Sequence, residues 1–369
     1  MSATYAHRRH AVRARLRENE LDAILVTDLL NIRYLTGFTG SNAALVVHAA
    51  DEPGAEQRTV FCTDGRYLTQ AEAQVPDLAR VIDRASDLEL AKRIGAEATE
   101  HRRVGFESQH VTVDRCDALA DAAGKADLVR APGIVEKLRL IKDETEIEAL
   151  RMACAAADRA LADLIEHGGL RPGRTELEVA RELETRMLDH GAAGPSFATI
   201  IAAGSNSAVP HHRPTDRVLA SGDLVKMDFG ALVDGYHSDM TRTVVLGNAA
   251  DWQREIYELV RAAQTAGRGA VQVDADVKAV DTAARSVIAD AGYGEQFLHG
   301  LGHGVGLEIH EAPMLSQRGD GRISAGMAVT VEPGVYLPGQ GGVRIEDTLV
   351  VRPSTPELLT LTTKELVEV

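Results

Sequence analysis

Leu224-Val225-Lys226-Met227-Asp228-Phe229-Gly230-Ala231-Leu232 reads as a mostly apolar strand with one aspartate in it. Val233-Asp234-Gly235-Tyr236 follows, and Asp-Gly is a favoured centre of a two-residue hairpin turn. The return strand, from Tyr236 to Leu246, carries Asp239. A turn centred on Asp234 and Gly235 sets Val233 opposite Tyr236, and the same register sets Asp228 opposite Thr241. Asp239 lies two residues from Thr241 on the same face, so the aspartates become diagonal neighbours roughly 7–8 Å apart at the backbone. Carboxylates this close repel each other and lose their charge unless a cation or a proton lies between them.

Outward from this hairpin, short β-branched runs broken by Gly, Pro, Asn and Asp span residues 199–247 and 328–351. Helices are expected over 143–166, 175–190, 252–272 and 276–291, with Thr175 and Glu178 forming a capping box. Leu138, Ile141, Ile147, Leu150, Ala153 and Ala157 recur at helical spacing and open this second part. The first third alternates differently. A helix over 7–19 and a buried strand over 23–26 precede a Gly- and Asn-punctuated stretch from Asn31 to Asn42. Strands over 43–47 and 59–63 flank a polar turn at 51–57, and a helix begins near Arg66. This βαβ-like rhythm ends at the breaker cluster Ala131-Pro132-Gly133. The expected fold class is α/β (α+β): an α/β domain over 1–132, then antiparallel strands flanked by helices over 138–369.

The 369 residues hold 55 acidic and 40 basic side chains, a formal net charge of −15, which argues against nucleic acid as a partner. The basic N-terminal residues Arg8, Arg9, Arg13, Arg15 and Arg17 imitate the start of a signal peptide, but Asp22, Thr27 and Asp28 interrupt the apolar run after them. No apolar run is long enough for a membrane span. Cys62, Cys116 and Cys154 are widely spaced and form no CxxC pair, so a reducing, cytoplasmic setting is expected.

Further acids stand in apolar company downstream. Val329-Thr330-Val331-Glu332 ends a strand on one, and Val343-Arg344-Ile345-Glu346-Asp347-Thr348-Leu349-Val350 holds another inside. Alternation puts Arg344, Glu346 and Thr348 on one face, opposite Ile345 and Leu349. His299-Gly300-Leu301-Gly302-His303-Gly304-Val305-Gly306 adds a histidine on a glycine-dense loop. Asp228, Asp239, His303, Glu332 and Glu346 form an oxygen-rich donor set with one imidazole, suited to Mn or Co rather than to a Cys-rich zinc site. Four carboxylates neutralise two dications, and such a pair activates water at a carbonyl or phosphoryl centre.

In this order and these contexts, the five residues resemble the pita-bread metallopeptidase family, which includes prolidases, Xaa-Pro aminopeptidases, methionine aminopeptidases and creatinase. Asn206-Ser207-Ala208-Val209-Pro210-His211 is similar to the family's segment with a catalytic histidine. Gly302 to Glu311, with His303 and His310 seven apart, resembles its prolidase-type motif. Residues 31–38 and 63–67 resemble the creatinase-like N-terminal domain of the Xaa-Pro branch. The resemblance implies two divalent ions, Mn first with Co or Zn as alternatives, held by Asp228, Asp239, His303, Glu332 and Glu346. It implies that Glu332 also shuttles a proton, that His211 and His310 orient substrate and stabilise the oxyanion, and that Arg344 holds the metal carboxylates or contacts substrate.

Three functions follow. The first is a metal-dependent exopeptidase cleaving an Xaa-Pro bond, a dipeptidase acting on proline-containing dipeptides or short peptides, with an aminopeptidase for longer peptides as its variant. The second is a non-catalytic pita-bread protein that binds peptides, against which the intact donor set counts. The third is a creatinase-like hydrolase of a small non-peptide substrate, a branch that works without those ligands. Arg318 and Arg322 are candidates for binding a substrate carboxylate, His212 reads as a loop histidine, and His299 has no assignment. A homodimer is expected from the resemblance.

Overall fold

A computed structural model describes residues 2–50, 54–97 and 102–369. The chain divides into two compact units, Met1–Arg139 and Leu140–Val369. The first three positions of the expected polar turn at 51–57 lie outside the described residues, and Ala55–Arg58 form a short 3-10 helix.

The first unit is built on six strands: β1 (Ala23–Val26), β2 (Ala43–His48), β3 (Val60–Thr63), β4 (Ala79–Ile82), β5 (Arg103–Phe106) and β6 (Asp127–Arg130). Their spatial order is β4-β3-β2-β1-β5-β6. The β1–β2 and β2–β3 pairs are antiparallel, whereas β1–β5, β5–β6 and β3–β4 are parallel. Every residue of β1 and β2 is buried, which explains the apolar runs over 23–26 and 43–47. The Gly- and Asn-punctuated stretch, given no element from the sequence, begins inside an α-helix, Leu29–Thr36. The Asp28 carboxylate caps it at Leu30 N, and Gly37 ends it in the left-handed region (φ 79°), so the asparagine lies inside a helix and the glycine marks its stop.

In the second unit, helix Glu144–Glu166 starts at Asp143, whose side chain forms a capping box with Glu146. The periodicity beginning at Leu138 is therefore split: Leu138 belongs to a separate one-turn helix, Glu136–Arg139, in the first unit. Helix Glu176–Asp189 has the expected Thr175–Glu178 capping box. These two helices bury Leu161, Leu164, Val179 and Leu183 against Ile201, Val225, Met227 and Phe229 of a three-stranded antiparallel sheet. Helices Asp251–Ala270 and Val277–Asp290 bury Ile256, Val260, Val280 and Ile288 in a second core with Val329, Val331, Ile345 and Leu349 of a five-stranded sheet and its flank. Each half is thus an antiparallel sheet with one face under a helix pair. The hydrophobic effect fixes the covered faces and leaves the other faces free to carry polar residues.

Candidate metal centre

The helix-covered three-stranded and five-stranded sheets of the second unit approach each other at an isolated bridge between Thr241 and Glu346, and acids from both sides gather at that seam. The hairpin register is the one the sequence dictates: Val233 pairs with Tyr236, and Asp228 pairs with Thr241. Asp234 (φ 49°) and Gly235 (φ 76°) both adopt the left-handed conformations that a type I′ turn needs. At Gly230 the returning strand comes so close that a Cβ would lie 1.8 Å from Ser238 O, so only glycine fits.

Glu332 stands one residue beyond strand Ala328–Val331, where its N–H donates to Leu301 O at 2.8 Å. Glu346 was expected inside one continuous strand, but the strand is interrupted there. Arg344 pairs with Gly334 in a two-stranded sheet, while Asp347 pairs with Val331 in the five-stranded one. Alternation survives the interruption. Ile345 and Leu349 enter the apolar core, and Arg344, Glu346 and Thr348 hydrogen-bond on the other side.

Donor atoms of Asp239, His303 and Glu346 lie within 4.8 Å of one another, and all three residues are buried. His303 Nε2 is 3.5 Å from Asp239 Oδ2 and 3.6 Å from Glu332 Oε1. The His303 Nδ1–H donates to Gly304 O at 2.9 Å, which fixes the tautomer and leaves a lone pair on Nε2 toward the acids. Burial holds this imidazole down at about 4, so it is neutral.

Burial, then the crowding of neighbouring acids, pushes Asp239, Glu332 and Glu346 well above the usual carboxylate range. Asp228 Oδ1 and Glu346 Oε1 are buried with no hydrogen-bond partner. Orphaned acceptor oxygens, mutually repelling carboxylates and an imidazole lone pair are the features of a site that divalent cations fit.

Arg344 is the buried counter-charge. Its guanidinium donates to the Asp228 carboxylate, to Thr241 Oγ1 (3.0 Å), to Tyr336 Oη (2.7 Å) and to Pro210 O (3.2 Å). Thr241 Oγ1–H donates in turn to Glu346 Oε2 at 2.7 Å. Tyr336 Oη donates in turn to His299 Nε2 at 2.8 Å, because His299 Nδ1–H is committed to Gly300 O. Burial keeps His299 neutral, down at about 3. Sequence reasoning missed Tyr336 and gave His299 no role. It also passed over Lys226, a fully buried lysine that burial lowers to about 6, whose Nζ donates to Val209 O (2.6 Å) and Pro210 O (3.1 Å), the two carbonyls just before His211. A charge inside an apolar strand was the available signal for Lys226.

His211 and His310 line a cleft of about 230 Å³ together with Asp228, Asp239, His303, Glu332 and Glu346. The His310 ring lies edge-on to His303, with centroids 4.4 Å apart. Phe197, Ile200 and Ile309 give the cleft an apolar wall.

The metallopeptidase family M24 model matches residues 148–353, and the creatinase/prolidase N-terminal domain model matches 8–141. The chain belongs to metallopeptidase family M24. An uncharacterized peptidase of Bacillus subtilis is 40% identical over 94% of this chain and 96% of its own. An Xaa-Pro dipeptidase of Pyrococcus furiosus is 35% identical over 95% and 96%. Among solved structures, an Xaa-Pro dipeptidase from Bacillus anthracis superposes with a TM-score of 0.92 at 38% identity, covering 99% of this chain and 100% of that one. An X-Pro aminopeptidase from Thermotoga maritima gives 0.87 at 32%, covering 96% and 100%.

This M24 metallopeptidase is therefore a hydrolase with a creatinase-like first domain and a pita-bread second domain, and the family implies use of a divalent metal. The sequence left Arg318 and Arg322 of the metallopeptidase open between substrate binding and solvated loop arginines. Arg318 and Arg322 are exposed and lie outside the cleft, and Arg322 donates to Asp274 O instead. His212, read as a loop histidine, is tied to the Glu176 carboxylate at 2.8 Å while also edging the cleft.

Proposed function

We propose that this chain is a dinuclear Xaa-Pro dipeptidase. The observation that carries the reading is the convergence of Asp239, His303 and Glu346 donor atoms, beside Asp228 and Glu332, in a cleft with an apolar wall. The names of relatives that match nearly end to end support the substrate class. Asp228, Asp239, His303, Glu332 and Glu346 hold two divalent ions. When bound, the ions supply Lewis acidity and lower the pKa of water.

The chain's own groups do the rest. Glu332, at the mouth of the acid cluster, accepts a proton from the attacking water as its oxygen bonds to the scissile carbonyl carbon. It returns that proton to the proline nitrogen as the C–N bond breaks. His211 and His310 donate hydrogen bonds to the developing oxyanion. Arg344 and Thr241 fix the orientation of Asp228 and Glu346. Phe197, Ile200 and Ile309 exclude water and pack against the pyrrolidine ring.

Manganese as the metal, a cytoplasmic location and a homodimer belong to the same proposal. The oxygen-rich donor set favours Mn, and three free cysteines suit a reducing compartment. The homodimer rests on the resemblance alone, and light scattering of the purified protein tests it. Aminopeptidase action on longer peptides is the second reading, favoured by the neighbour of that name from Thermotoga maritima. Hydrolysis of an Xaa-Pro dipeptide and an Xaa-Pro-Xaa tripeptide, with Mn and with chelator, separates the two. Activity surviving exhaustive chelation would end the metal mechanism.

A further inference from the structure

His211 lines the cleft but belongs to no helix or strand, since it falls between the 3-10 helix Gly204–Ala208 and the strand Leu224–Phe229. Side chains from elsewhere hold the chain on both sides of it. After His211, the buried Glu176 carboxylate accepts from His212 Nε2 (2.8 Å) and Thr215 N (2.9 Å). Before it, Lys226 Nζ donates to Val209 O (2.6 Å) and Pro210 O (3.1 Å), and Arg344 Nη1 also donates to Pro210 O (3.2 Å).

Lys226 stands on a stiff support. It comes from the central strand of its three-stranded sheet, where it pairs with Thr243 on one side and Ala202 on the other. Asp228 follows two residues along, on the same face. The lysine is fully buried, and its Nζ lies 5.0 Å from the centre of the Tyr336 ring. Burial lowers the amine to about 6, and in either protonation state it has the two N–H groups that the two carbonyls take. Burying an amine costs stability, which an apolar side chain of the same length would avoid, so packing alone does not account for a lysine here. What the lysine adds is a grip on the backbone that enters His211. An oxyanion donor works only when accurately placed, and a displacement of about 1 Å can cost about 100-fold in rate.

We propose that Lys226 is a positioning residue for His211: by holding the carbonyls of Val209 and Pro210, it aims the His211 ring at the developing oxyanion. This role rests on the Xaa-Pro reading above and deepens it.

The test compares the metal-loaded full chain with Lys226→Met, His211→Ala and the double variant on Ala-Pro and Ala-Pro-Ala. Lys226→Met should lower kcat about 10- to 100-fold with KM near normal, because the oxyanion exists only in the transition state. In the His211→Ala background the same substitution should cost less than about 2-fold, since no ring is left to aim. Mn affinity by calorimetry should stay as it was. In the metal-free protein, amide hydrogen exchange at Val209, His211 and His212 should quicken while 224–229 keeps its protection. Lys226→Gln keeps an N–H donor and should lose less kcat than Lys226→Met; it carries the same comparison if the methionine variant does not fold. An unchanged kcat, an equal loss in both backgrounds, a loss confined to KM, weaker Mn binding or unchanged exchange at 209–212 overturns the role of Lys226 while the Xaa-Pro reading stands. A metal-loaded wild type that cleaves neither peptide overturns the Xaa-Pro reading itself, and this role with it.

Discussion

Glu107 in the first unit and Glu346 in the second are both buried carboxylates, and their surroundings are opposite. Glu107 is ringed by donors: Thr27 N at 2.7 Å, Asp28 N at 2.8 Å and Asn31 Nδ2 at 2.7 Å. Burial pushes it up to about 7, and those N–H groups pull the other way. Glu346 has one donor, Thr241 Oγ1, and an orphaned Oε1, and it faces Asp228 and Asp239. A buried acid supplied with protein hydrogens is complete and ties its loops together. A buried acid supplied with other acids is incomplete until something positive arrives.

Asp239→Ala tests the contrast most severely. Turnover should fall about 10³-fold, while the metal-free protein melts no lower than the wild type because one repelling charge has gone. Near-normal hydrolysis by this variant would remove Asp239 from the centre.

Metal addition and removal should be pH-dependent, with a sign fixed by the raised carboxylates. In the metal-free fold the Glu346 pKa rises from 4.5 to about 8. Its contribution to metal-free stability is therefore fully present below 4.5 and lost as pH climbs through about 8. Ions bind the deprotonated set, so the rise in Tm on adding Mn should grow with pH across that window. A metal increment that is flat or shrinks with pH breaks the link between the repelling acids and the ion.

Glu107→Ala should do the opposite of Asp239→Ala. Leaving Thr27 N, Asp28 N and Asn31 unsatisfied costs about 1–3 kcal/mol of stability by urea unfolding, while metal affinity measured by calorimetry stays as it was. Weakened metal binding in that variant would erase the distinction between the two acids. The smallest effect belongs to Tyr336→Phe, which removes the link between Arg344 and His299. A fall in kcat of about 10-fold is expected, with a near-normal melting temperature. No change in kcat would make the tyrosine hydroxyl a packing detail.

The sequence made some of this legible and hid the rest for physical reasons. Asp228 and Asp239 could be set on one face because a two-residue Asp-Gly turn fixes strand parity, and parity needs no tertiary information. Glu332 and Glu346 stood out because an ionised group in an apolar run needs an explanation. Tyr336 and Glu176 did not, since a tyrosine in a strand and a glutamate in a helix's first turn are ordinary locally. Their meaning lies in partners such as Arg344 and His212, which are remote in sequence. Arg318 and Arg322 were chosen by nearness along the chain, and neither is among the residues that line the cleft. In the first unit the helix Leu29–Thr36 was hidden because its cap and its stop crowd eight residues, too few for periodicity to declare itself.

The hairpin at Asp234-Gly235 also constrains how this chain can change length over evolutionary time. Residues added at the turn itself lengthen a loop and leave the arms paired as they are. One residue added between Tyr236 and Asp239 swaps inside for outside, carrying Asp239 away from Asp228 and His303. Related chains that keep the chemistry should therefore show insertions and deletions at 234–235 and none over the next four positions.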